Sequence, residues 1–190
     1  MSKVEDVTTP CWFHVILTTY GAWLPGDPRG FRTRHHRDHV EGDYRSPPPV
    51  GVYESFALKN LDALKHDPVS LDPAQRETVG KALKEKLDEF DASLIAISVS
   101  SQHIHMLLKL PPPTVRIQVG DAKKHAWFEM RDAGWKKKLW GKRGKFLRIR
   151  DRRHQLNVYY YILRHAEQGA WVWHYTRQKT TDARNDADAQ

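Results

Sequence analysis

The chain has 190 residues, enough for one domain with a buried core. Apolar residues make up 39% and charged residues 28%, and no apolar run nears the roughly 20 residues of a membrane-spanning helix. A single cysteine, Cys11, excludes an internal disulfide and a cysteine-based zinc cluster, while a net charge of +8 favours polyanionic partners.

The pattern reads as one domain over 1–175, with an irregular arm at about 21–60 and a polar tail over 176–190. The N-terminus MSKVEDVTTP has no apolar centre of the kind a secretory leader needs, so a cytoplasmic protein is expected, with no membrane partner. Residues 11–20, CWFHVILTTY, are aromatic and β-branched and predict a strand; Cys11 is expected as a small buried residue. Gly21 to Gly51 is dense in Pro, Gly, Arg and His and shows no period. Asp72-Pro73-Ala74-Gln75 signals a helix start over 72–90: Asp caps, Pro stands first and Gln closes a capping box. Residues 93–110 predict a hairpin, LIAISVS and HIHMLLKL, joined by a tight turn and ended by Pro111. A helix over 114–131, a strand over 146–150 and a helix over 153–168 follow. Trp171 and Trp173 are expected to pack the last turn against the body. Strands and helices in this order predict an α+β fold, an antiparallel sheet with helices packed against it.

Two histidines stand one residue apart in the second hairpin strand. Side chains alternate in a strand, so His103, His105, Leu107 and Lys109 share one face and Ile104, Met106, Leu108 and Leu110 the other, apolar one. The Cβ atoms of the two histidines then lie roughly 7 Å apart, a workable bite for two imidazoles on one metal ion. The alternative is a pair of half-buried histidines bonded to their neighbours. His14 alternates with apolar residues and reads as structural.

The last helix carries a second pattern. His154, Asn157, Tyr161, His165 and Gln168 fall on one polar stripe, beside an apolar stripe of Val158, Tyr159, Ile162, Leu163 and Ala166. Tyr159 therefore belongs to the core, Tyr160 to the boundary, and Tyr161 to the polar side, one turn before His165. A tyrosine and a histidine so placed can present a nucleophile and a ligand to one ion; the alternative is a solvated polar stripe.

A basic segment precedes this helix. Lys136, Lys137, Lys138, Lys142, Arg143, Lys145, Arg148, Arg150, Arg152 and Arg153 alternate with Trp135, Trp140 and Phe146. Cations neutralise phosphates and aromatic faces stack on bases, so the mixture suits a single strand; a solvated surface is the other reading. Lys123 and Lys124, on the preceding helix, are candidate phosphate contacts. Arg32, Arg34, His35, His36, Arg37 and His39 form a further basic cluster in the arm, read as a DNA contact, a second metal site or a solvated loop.

His103-Ile104-His105 on a strand, followed by Tyr161-Ile162-Leu163-Arg164-His165 on a C-terminal helix, resembles the HUH-type single-tyrosine transposases, and more closely the REP-associated tyrosine transposases. The likeness covers roughly residues 11–173, with Leu139-Trp140-Gly141 similar to the family's lead-in to the helix. His165 stands where many relatives carry Asn or Gln, and the long arm has no counterpart in the simplest members. The resemblance implies a ferredoxin-like or RRM-like sheet and a metal-dependent cut in single-stranded DNA beside a hairpin. Tyr161 would be the nucleophile, giving a 5′-phosphotyrosine and a free 3′-hydroxyl. His103, His105 and His165 would hold Mg²⁺ or Mn²⁺, with Lys123, Lys124, Lys142, Arg143, Lys145 and Arg148 on the DNA. It also implies a nucleoid-associated protein, as a monomer or a homodimer. A binding regulator that no longer cuts, and a histidine-metal hydrolase without a covalent intermediate, are the competing readings.

Overall fold

The computed structural model describes residues 8–27 and 51–176. The arm's basic cluster at 32–39 and the tail from 177 lie outside the described residues. The strands are β1 (Cys11–Thr18), β2 (Ser93–Val99), β3 (His103–Leu110), β4 (Lys145–Arg148) and β5 (Trp171–His174). The helices are α1 (Glu54–Asp62), α2 (Pro73–Asp88), α3 (Val115–Asp132) and α4 (Arg152–Arg164), with a 3-10 turn at His165–Gln168. The sheet order is β4-β1-β3-β2-β5, every neighbour antiparallel. This is the α+β architecture that the alternating patterns predict.

The alternation along each strand splits the apolar residues between two layers. Phe13, Val15 and Leu17 of β1 join Ile104, Met106, Leu108 and Leu110 of β3 in the larger core. Val79, Leu83 and Leu87 of α2 and Val119, Ala122 and Ala126 of α3 close it. The other layer is small: Leu107 and Ala96 from the sheet, Val158 and Ile162 from α4, and Ile149. α4 lies over β2 and β3 and leaves much of β1 and β4 uncovered.

Local chemistry explains the element ends. Asp72 accepts the Gln75 N–H at 2.8 Å while Gln75 Oε1 accepts the Asp72 N–H at 3.0 Å, the capping box predicted for α2. Ser100 N–H donates to the His103 carbonyl and closes the β2–β3 hairpin. Gly169, at φ 75°, ends the 3-10 turn in the left-handed region and turns the chain into β5.

Several boundaries differ from expectation. α1 lies in the tract expected to be irregular; it has no buried residue and no side-chain cap, so neither an apolar stripe nor a cap marks it. β5 was expected only as aromatic packing. It is a four-residue edge strand on β2, pairing Trp173 with Ile97 and Trp171 with Val99. α4 gives way to the tighter 3-10 turn after Arg164, so the 3.6-residue phase fails and Ala166, expected in the core, is exposed. Gln155 takes a buried place instead, its Oε1 accepting from Arg152 at 2.6 Å. Cys11, expected buried, is only half-buried.

β5 docks on α2 through one close approach. A Cβ on Gly80 would stand 2.2 Å from the Trp171 ring. Gly80→Ala should gain helix propensity yet lose stability overall, by about 1–3 kcal/mol, because a packed indole cannot yield that space. A lower thermal midpoint checks this; a raised one would show that β5 is not held there.

Candidate active site

His103 and His105 share the sheet face under α4, while Ile104 faces the large core. His105 is the cross-strand neighbour of Ile16 on β1 and of Ser98 on β2. It is 7% exposed. Ser98 is fully buried, and its Oγ has no hydrogen-bond partner among the described residues.

α4 delivers the second half. Asp151 caps it by accepting the His154 N–H at 2.8 Å. Val158 and Ile162 bury against the sheet, which turns the polar stripe toward β1. Tyr161 is 40% exposed, and its ring centroid lies 5.2 Å from that of His105 and 4.7 Å from that of His165, both edge-on. His105 and His165 are themselves 4.8 Å apart. The other tyrosines go elsewhere: Tyr160 is 59% exposed, and Tyr159 is half-buried with its hydroxyl 3.0 Å from His174 Nδ1.

His14, expected to be structural, belongs to this constellation. Its Nε2 lies 3.1 Å from His105 Nδ1, and its ring is 6.1 Å from that of Tyr161. One of the two imidazoles donates and the other accepts, so the accepting ring is neutral. Burial above all, with repulsion from His154 and His165, lowers the pKa of His14 to about 4. Burial first, then His14, His165 and His103, lowers that of His105 to about 3. Unfolded, these rings bind protons below about 6.5; folded, they do not until pH nears 4 and 3. The unfolded state thus holds more protons in that window, and stability falls as pH drops through it. Thermal midpoints measured between pH 7 and 4.5 should fall, and less steeply in a His14→Gln/His105→Gln double variant. An identical slope would place the acid sensitivity elsewhere.

His165 Nδ1 lies 2.9 Å from the Tyr161 carbonyl. A carbonyl only accepts, so Nδ1 carries the hydrogen of this bond and Nε2 is the nitrogen left to face the site. His103 stands at the end of β3 beside Trp23, ring centroids 5.7 Å apart. Imidazole nitrogens suit a divalent cation in kind. In number, the structure brings together His105 and His165, and among the described residues no three side chains stand at metal-holding distances.

The predicted DNA contacts divide. Lys145 pairs with Ile16 and so lies on the Tyr161 face, and Lys142 and Arg143 are exposed in the turn beside Thr18, whose carbonyl accepts the Gly141 N–H. Arg148 lines a cavity at the start of β1. Lys123 and Lys124 lie on α3, across the sheet from Tyr161. Lys123 sits against the Trp140 ring, its Nζ 3.4 Å from the Gly141 carbonyl, and desolvation lowers its pKa.

No family model and no curated protein matches this chain. Among solved structures, that of a REP-associated tyrosine transposase bound to a REP hairpin superposes with a TM-score of 0.49 and 13% identity. The match covers 89% of this chain and 74% of that one.

Proposed function

We propose that the protein is a single-stranded DNA endonuclease and strand transferase that works through Tyr161. The observation carrying this reading is the convergence of Tyr161 from α4 and His165 from the 3-10 turn after it with His105 from β3. Solvent still reaches the tyrosine at that point. The sequence resemblance to REP-associated tyrosine transposases supports the same assignment, with the HUH pair and the tyrosine in matching order.

In this mechanism the Tyr161 oxygen bonds to phosphorus as the bond to the 3′-oxygen breaks. The products are a 5′-phosphotyrosine and a free 3′-hydroxyl. The linkage keeps the phosphoester bond, so an incoming 3′-hydroxyl reverses the step and joins strands without ATP. Burial raises the Tyr161 pKa, and the Arg164 guanidinium offsets part of that rise. Positive charge near the phenol therefore eases its ionisation. A divalent cation, Mg²⁺ or Mn²⁺, would be held by His105 and His165, with His103 as the third ligand only if it moved toward them, and would neutralise charge on the phosphate; imidazoles favour Mn²⁺. Lys142, Arg143, Lys145 and Arg148 would hold the strand, adjacent to a hairpin in the substrate.

The deciding experiment is denaturing electrophoresis of the protein with labelled single-stranded DNA and Mn²⁺. A shifted band that survives denaturation and yields to protease is the expected result. Cleavage without it would favour the hydrolase, and tight binding without cleavage the regulator.

A further inference from the structure

We infer that the cavity where β1 begins is a second DNA contact, a subsite for one phosphate and one unpaired base of the strand whose scissile phosphate meets Tyr161. It rests on the preceding reading for the identity of the nucleic acid. The cavity has a volume of about 520 Å³, and Trp12, Lys109, Arg148, Ile149 and Arg150 line it together with Pro10 and Cys11. Of these, the basic segment of the sequence had singled out only Arg148 and Arg150.

Three features build it. First, Trp12 and Lys109 are cross-strand partners and lie on the same sheet face as His14 and His105. α4 begins only at Arg152 and covers β2 and β3, so this end of β1 stays open. The indole is half-buried, packed on one side against the small core.

Second, the connection from β4 into α4 is tied to the strand, Ile149 N–H donating to the Trp12 carbonyl at 2.8 Å. That bond brings Arg148 and Arg150 to the cavity that Lys109 enters from β3. Among the described residues no carboxylate lies within ion-pair distance of Lys109 or Arg150. Asp151, next in sequence, is committed to the His154 N–H. Lys109 and Arg150 beside an indole are what a phosphate and a base require.

Third, the cavity is in line with the tyrosine. Trp12 and His14 are two residues apart on one strand face, roughly 7 Å. His14 is 6.1 Å from the Tyr161 ring. α4 runs from the cavity to the same point, about 13 Å from Arg152 to Tyr161. A strand seated at Trp12 has one buried ring, His14, between it and Tyr161. A base paired in duplex has no free face for the indole, so the subsite takes single strands.

The test uses the full chain and fluorescence anisotropy with a labelled oligothymidylate across a salt series. Lys109→Gln/Arg150→Gln should weaken binding about ten-fold or more at low salt and reduce the salt slope by about 0.7, the value for one phosphate contact on a single strand. Trp12→Leu keeps an apolar side chain against the small core but loses the stacking face. It should weaken binding about five-fold to a hundred-fold with little change in slope. Lys81→Gln/Lys86→Gln on α2, across the sheet, is the charge control, and circular dichroism confirms that each variant folds. A Lys109/Arg150 variant that matches the control overturns the subsite, as does a blunt duplex bound as tightly as the single strand. Adduct yield is read in parallel. Binding that depends on Lys109 and Arg150 with no adduct in the wild type supports the subsite while removing the nuclease reading.

Discussion

Tyr161→Phe is expected to abolish covalent attachment to single-stranded DNA, a loss of at least about 10⁴-fold, while binding stays within about two-fold of wild type. The change deletes one oxygen and keeps the ring that lies edge-on to His105 and His165. Packing and the surrounding charges survive, so affinity should hardly move. Tyr160→Phe is the control, since that ring is 59% exposed and its neighbour Tyr159 is engaged with His174. Because burial raises the Tyr161 pKa, the wild-type rate of adduct formation should climb as pH rises above neutrality. Single-turnover denaturing electrophoresis measures all of this. Adduct formation by both Tyr→Phe variants would end the nucleophile assignment, and activity in Tyr161→Phe alone would move it to Tyr160.

Much of this site was legible because two periodicities are written plainly. The alternation of His103 to Leu110 assigned His105 to one face and Ile104 to the other, and the structure agrees because Ile104, Met106 and Leu108 have a large apolar layer to enter. The 3.6-residue stripe of α4 put Tyr161 and His165 together and kept Tyr160 outside. It failed at Ala166, where the helix tightened, and it did not mark Gln155, which is buried. His14 could not be found this way. Its neighbours in sequence are ordinary strand residues, and its meaning comes from a partner 91 residues away, brought close by the pairing of β1 with β3. Trp12 and Lys109 were hidden for the same reason. α1 and β5 lacked the signals that sequence reading uses: the helix buries nothing, and the strand has four residues.

His105→Ala carries the second large effect. His105 is in contact with His14, Tyr161 and His165. Removing it should lower adduct formation by at least about 100-fold, the scale for losing a positioned group that stabilises developing charge. It should also cost about 1–3 kcal/mol of stability, because His14 Nε2 is left buried without its partner. His14→Phe separates the two consequences. It keeps a ring in the buried place and leaves His105 present but no longer held at Nδ1, so the rate should fall only about 10- to 100-fold, in the range seen when a group that orients a ligand is lost. His14→Gln, whose amide can bond to His105 Nδ1, should recover part of that loss. Thermal melts alongside the adduct assay distinguish unfolding from chemistry. If His105→Ala melts near the wild-type temperature and still forms adduct at the wild-type rate, the histidine cluster is not the place where the phosphate is cut. A rate in His14→Phe equal to wild type would leave His105 in place and show that His14 does not orient it.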